Sequence, residues 1–346
     1  MSLLPVLAPW QQRAYAHAAG ALAAGHLGHA SLVLGPQWIG KRVLAEHLAR
    51  RVLCLSPQAD GEACGRCRSC TLFAARAQFD PLETRPDGSL AQPWGHSAHP
   101  DLVFVGYEWN HKARPPKQRT ELVIEQIRAL SEKLTLTPQL GGAQVVIVDP
   151  ADAINYSAFN ALLKTLEEPR PGRYLWLLSS NPARLPATIR SRCQRLELRL
   201  PPRAEALASL GAQGHPAHVA AEALEAARGH PGLAARWASG DGLALRRSVA
   251  QDAQSLQRGQ AAPAELAQRW VADGRGDERL QHLAELALQE MALHQLASAQ
   301  GNGLTDPARS RTLARRFDDA NRARGLLRTT VRADLAVTET LLGWCG

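Results

Sequence analysis

A chain of 346 residues, 45% hydrophobic and 21% charged, has the composition of an ordinary soluble protein and the length for two or three domains. No apolar run reaches the ~18 residues of a membrane span, and the start lacks the basic-then-apolar pattern of a secretory signal, so a cytoplasmic location is expected. The net charge of +8 is compatible with a place near DNA, but only five of the 40 basic residues are Lys, and the arginines are spread over every segment.

Along the first half, short apolar strands alternate with helical patterns, which predicts an α/β domain with a parallel sheet. Candidate strands are residues 31–34, 102–105, 145–148, 174–178 and 195–200. After the first, Leu44, Leu48 and Val52 recur at four-residue spacing; later Phe159, Leu162, Leu163 and Leu166 form a second helical stripe, closed by Pro169. Residues 79–100 and 106–120 are rich in Pro, Gly, His and charge and read as surface loops or insertions. Beyond Pro201 and Pro202 the strand signals stop. In the helical tail Leu280, Leu283, Ala287 and Met291 share one helix face, and Val331, Leu335, Thr338 and Leu342 share another. The expected organisation is an α/β domain over 1–200, a small helical domain over 201–240 and a larger helical domain over 241–346.

The segment from Gly35 to Gly40 and Lys41 follows the first strand and opens a helix, with the G-x-x-x-x-G-K spacing of a phosphate loop. In that setting backbone N–H groups at a helix N-terminus and one Lys meet anionic phosphates. The next residue should carry a hydroxyl that ligates Mg²⁺; here it is Arg42, which cannot coordinate a cation. Trp38 is also out of place, because small residues let the loop backbone curl close to phosphate, and the indole is expected to fill part of the pocket. The strand over 145–148 runs into Asp149, where a nucleotide hydrolase holds Mg²⁺, but Pro150 follows and can neither polarise water nor take a proton. Asp152 reads as a loop or helix-capping residue. Gly35, Gly40, Lys41 and Asp149 therefore outline a vestigial nucleotide site, with ATP hydrolysis lost and ATP binding in doubt.

Four of the six cysteines, Cys54, Cys64, Cys67 and Cys70, fall within seventeen residues. In a cytoplasmic chain such clustering points to metal before disulfides. Four thiolates suit a structural, tetrahedral Zn²⁺ with no position left for substrate. Their net charge of −2 around the ion is offset by the nearby Arg50, Arg51, Arg66 and Arg68. An iron–sulfur cluster, a redox pair and unliganded thiols are the competing readings. A nucleic-acid finger is disfavoured, since no aromatic residue lies between Cys64 and Cys70 for base stacking. Cys193 and Cys345 stand alone.

Three strings, HLGHASLVLGP (26–36), NALLKTLEEP (160–169) and LLSSNPARLPATIRSRC (177–193), together with the cysteine module between the first two, resemble the AAA+ clamp-loader family of bacterial DNA polymerase III. They follow the family's order over roughly residues 26–195, and the damaged phosphate loop is similar to that of the delta-prime members. The resemblance implies an AAA+ RecA-like parallel-sheet domain with a zinc module at 54–70, a small helical lid and a C-terminal helical collar. It implies that Arg192, in the Ser-Arg-Cys motif, is an arginine finger reaching the ATP site of an adjacent subunit. Ser179 or Ser180 corresponds to sensor 1, and Gly232 or Arg236 to sensor 2. By the same resemblance the chain is a non-hydrolysing subunit, without catalytic activity of its own, that joins gamma/tau and delta subunits to load the beta sliding clamp on primer-template DNA. The gamma/tau ATPase pattern needs Ser or Thr at position 42 and Glu at 150, and carries a long C-terminal extension in tau. A free-standing AAA+ repair ATPase meets the same objections.

Overall fold

The computed structural model describes residues 4–86, 88–114, 116–300, 306–327 and 329–345. The chain divides into two compact units, Met1–Pro201 and Pro202–Gly346.

In the first unit the elements run α1 (Pro9–Ala23), β1 (Ala30–Leu34), α2 (Lys41–Leu53), α3 (Arg68–Ala74), β2 (Arg76–Ala77), β3 (His96–Ser97), β4 (Leu102–Val105), β5 (Trp109–Asn110), β6 (Lys117–Gln118), α4 (Ile124–Thr135), β7 (Gln144–Val148), α5 (Tyr156–Glu167), β8 (Arg173–Ser179), α6 (Ala187–Arg190) and β9 (Gln194–Glu197). Five strands form one sheet in the order β4-β7-β8-β1-β9, and every neighbouring pair is parallel. This is the strand order of a RecA-like AAA+ domain. Helices cover both faces, so β7 is apolar throughout its last four residues, with Val145, Val146, Ile147 and Val148 fully buried. Val146 and Val148 pack with Leu32, Phe159 and Leu162 on one side. Val145 and Ile147 pack with Val33, Leu44, Leu48 and Trp176 on the other. The chain leaves β1 at its C-terminal edge and turns into α2, beside the ends of β7 and β8, where open parallel sheets place their ligand crevices.

Two expectations need correction here. The last strand ends at Glu197 rather than at residue 200; one further ladder bond, from Leu198 N to Leu34 O at 2.8 Å, precedes the two prolines. The segments read as surface loops or insertions contain β3 and the β5–β6 hairpin; β3 pairs with β2 in a second short antiparallel hairpin, whose connection sends side chains inward. Gln92, on the connection between β2 and β3, is only 4% exposed.

The second unit is helical: α7 (Arg203–Ala212), α8 (Ala217–Ala226), α9 (Pro231–Ala238), α10 (Gly242–Gln257), α11 (Pro263–Ala272), α12 (Gly276–Gln300), α13 (Pro307–Leu326) and α14 (Ala333–Leu342). Its core gathers Val249, Leu256, Trp270, Leu280, Leu283, Ala287, Val337, Leu341 and Trp344. The α12 stripe thus enters the core through its first three members. The α14 stripe does not: Val331, Leu335 and Leu342 are 46%, 57% and 58% exposed, and the helix buries Ala336, Val337, Thr340 and Leu341 instead. Apolar residues on two sides of this short helix give two stripes at helical spacing, and the one that enters the core is that of Val337 and Leu341, beside Trp344. Among the described residues, no helix is long and apolar enough to cross a membrane.

Candidate functional site

The turn between β1 and α2 has the geometry of a phosphate loop. Gly40, the residue before α2, has φ 97, and a Cβ there would fall 1.8 Å from Gln11 Nε2. That close approach exists because Gln11 Nε2 and Trp10 Nε1 on α1 both donate to the Ile39 carbonyl at 3.0 Å. Gly35 is as tightly placed, with a Cβ position 2.7 Å from the Leu198 carbonyl. Trp38 holds a left-handed backbone, φ 70, which costs a non-glycine residue about 1–2 kcal/mol.

Lys41 is buried, and its ammonium is fully engaged by the protein. Nζ donates to the Gly35 carbonyl at 2.7 Å, the Pro36 carbonyl at 2.8 Å and Ser180 Oγ at 2.9 Å. An ammonium has three N–H groups, so these three acceptors use all of them. Burial brings the Lys41 pKa down to about 8, against the opposing pull of Asp149 and Asp152.

Arg42 lies one residue further, 8% exposed, on the first turn of α2. Its Nε donates to Glu46 at 2.6 Å, its NH1 lies 3.4 Å from Asp149 Oδ2, and its NH2 donates to Gln92 Oε1. The same guanidinium stacks 3.8 Å from the Phe104 ring centre. Asp149 has a second cation: Arg85 NH2, from the β2–β3 connection, reaches Oδ2 at 2.7 Å. Burial alone would raise the Asp149 carboxyl, but Arg85, Arg42 and Lys41 outweigh it and hold its pKa below the ordinary carboxylate value. Glu46 is fully buried between Arg42 and Arg76, the latter at 2.6 Å as an ion pair rather than an aligned hydrogen bond. The Asp149 carboxylate is therefore neutralised by two guanidinium groups of the protein itself. Sequence reasoning missed Arg85, Gln92, Glu46 and Arg76, which lie outside any motif.

Asp152, read as a loop or helix-capping residue, binds the turn that follows β8. Its carboxylate accepts from Ser179 Oγ at 2.5 Å, Ser180 N at 2.7 Å and Asn181 N at 3.1 Å, so it fastens the end of β8. Both sensor-1 candidates are thereby engaged: Ser179 by Asp152, Ser180 by Asp152 and Lys41. Gly232 and Arg236 lie on α9 in the second unit, where Arg236 NH2 is 3.6 Å from Glu278. Arg192 stands apart from this cluster, just beyond α6, with its side chain 37% exposed and 2.7 Å from Glu167.

The four clustered cysteines meet at the end of α2 and the start of α3, with all Sγ atoms within 4.8 Å of one another. Cys54 Sγ is 3.6 Å from Cys64 Sγ and 4.0 Å from Cys67 Sγ, too far for disulfides. A tetrahedron of thiolates at 2.3 Å from zinc has edges of about 3.8 Å, so the spacing fits the ion. Backbone N–H groups of Cys64, Cys67 and Cys70 point at sulfur over 3.3–3.5 Å. Burial would raise the Cys67 thiol, yet the N–H groups of Cys70 and Leu55 and the adjacent thiols bring it down to about 6. The module is fastened to α1 and α2 by Glu62, which accepts from Tyr15 Oη at 2.5 Å and pairs with Arg51. Cys54, Cys64, Cys67 and Cys70 are thus able to bind a metal such as zinc.

A model of the family described as DNA polymerase III, delta subunit, matches residues 10–202. A Pseudomonas aeruginosa protein named DNA polymerase III subunit delta' is 36% identical over 265 residues, spanning 76% of this chain and 70% of the relative. The Escherichia coli protein of the same name is 32% identical over 244 residues, spanning 70% and 64%. A crystal structure of a DNA polymerase III gamma subunit-related protein from Thermotoga maritima superposes with a TM-score of 0.50 at 15% identity, over 94% of this chain and 97% of that one, a likeness of fold.

Proposed function

The chain belongs to the delta-prime family of DNA polymerase III clamp-loader subunits, and from that premise we propose that it is the non-hydrolysing member of such a loader. One observation carries this reading: Arg42 and Arg85 hold Asp149, where an active subunit would hold Mg²⁺. With Lys41 turned to its own loop and Pro150 in place of a water-activating acid, neither metal, phosphate nor nucleophile is provided for.

In this reading Arg192 extends to nucleotide bound by an adjacent gamma/tau subunit, where a guanidinium stabilises the charge that develops on the transferred phosphoryl group. Its exposure, away from its own inert site, supports that role. Residues 201–240 serve as a lid and 241–346 as a collar that joins the subunits. The exposed Leu293, Leu296, Leu335 and Leu342 are apolar surface of the kind that oligomerisation buries. The cysteine module holds a structural Zn²⁺. Assembled in the cytoplasm with gamma/tau and delta, the chain would help to open the beta sliding clamp and set it on primed DNA.

Reconstitution tests this directly. Mixed with gamma/tau and delta, the chain should form a complex with clamp-stimulated ATPase activity, and Arg192→Ala should depress that activity without dissociating the complex. Unchanged activity would count against the finger.

A further inference from the structure

Arg192 is held by its own subunit on two sides. Its NH1 donates to the Thr188 carbonyl on α6 at 3.0 Å, and its NH2 lies 2.7 Å from Oε1 of Glu167, the last residue of α5. One guanidinium N–H makes a hydrogen bond, to Thr188, while the contact with Glu167 is an ion pair, and the remaining N–H groups can meet a third party. The pair is open to solvent, with the side chains 37% and 51% exposed. An ion pair this exposed adds little to the stability of a fold. It does narrow the rotamers of a long side chain, and a side chain already placed loses less freedom when it meets a phosphate.

We propose that Glu167 is a positioning residue for Arg192, fixing the plane of its guanidinium for the neighbouring subunit's nucleotide. The proposal rests on the reading of Arg192 as a finger. Glu167 does not touch the nucleotide and acts only through the arginine, with Thr188 supplying the second point of the hold. The NALLKTLEEP string then has a role at the interface as well as in the core: Leu162 and Leu166 anchor the helix, and the glutamate at its end orients a residue 25 positions later.

The test uses the assembled loader with gamma/tau subunits whose own Ser-Arg-Cys arginine is replaced by Ala, so that remaining hydrolysis reports the site facing Arg192. Arg192→Ala should abolish that remainder; if it does not, the finger reading fails and takes this proposal with it. With Arg192 intact, Glu167→Ala should lower kcat roughly two- to fivefold, the span an exposed ion pair supports, with nucleotide KM and complex formation unchanged. Glu167→Asp should recover part of the loss, and the isosteric Glu167→Gln should fall between wild type and Glu167→Ala. The melting temperature of the isolated variants should stay at the wild-type value, so that the change in kcat cannot be assigned to a loss of folding. Wild-type kcat in Glu167→Ala beside an inactive Arg192→Ala would overturn the positioning role. A rise in kcat would overturn it too, since Glu167 would then be competing with phosphate for the arginine.

Discussion

Arg85 and Asp149 meet at 2.7 Å, although 64 positions separate them in the chain, and the contact brings the β2–β3 connection onto the end of β7. With Arg42 at 3.4 Å from the same oxygen, the end of β7 carries an internal salt-bridge cluster. A cluster buried this deeply is costly to leave half-made, because each removed partner strands a charge away from water.

Restoring the missing hydroxyl should therefore not restore activity. Arg42→Ser supplies a side chain able to ligate Mg²⁺, but Arg85 still covers Asp149 and Pro150 still follows it. The variant should remain inactive in an ATPase assay. It should also lose about 3 kcal/mol in denaturant unfolding, since the fully buried Glu46 keeps only Arg76.

The cluster carries a pH signature. Asp149 has a folded pKa below the ordinary value of about 3.9, so its contribution is complete above that value and is lost as pH falls through the lower folded one. The stability difference between wild type and Asp149→Asn should be flat from about pH 5 to 7 and shrink under more acidic conditions. Urea unfolding across that range, on both proteins, checks it.

The cysteine module gives a metal prediction. Elemental analysis of purified protein should find about one zinc per chain. Cys70→Ser should lose the metal and lower the melting temperature, because Cys70 is only 3% exposed and joins α3 to the rest of the module. Iron with visible absorbance in place of zinc would contradict the assignment.

The parallel sheet and the cysteine cluster are legible in the sequence, because each depends on spacing over a short stretch. Val145 to Val148 can hardly be anything but a strand covered on both faces, and four sulfurs within seventeen residues leave few geometries. The state of Asp149 is not legible in the same way. Its partners Arg42 and Arg85 lie 107 and 64 residues away, and Arg85 comes from a stretch with no periodic pattern to place it. Asp152 is similar, since the groups it binds lie 27 to 29 residues later at the end of β8. On α14 the difficulty is degeneracy, two apolar stripes of equal period.

That degeneracy is itself testable. Val337→Ala, at a fully buried position, should cost roughly 1–3 kcal/mol, whereas Leu335→Ala, at 57% exposure, should change the stability of the isolated chain by less than about 0.5 kcal/mol. Thermal unfolding of the two variants distinguishes the observed face from the alternative.

Calorimetric titration of the isolated chain with ATP and Mg²⁺ reaches the central claim most directly. With Asp149 held by Arg42 and Arg85 and Lys41 satisfied by its own loop, no saturable Mg²⁺-dependent binding should appear up to about millimolar nucleotide. Micromolar, Mg²⁺-dependent binding that disappears in Lys41→Ala would contradict it.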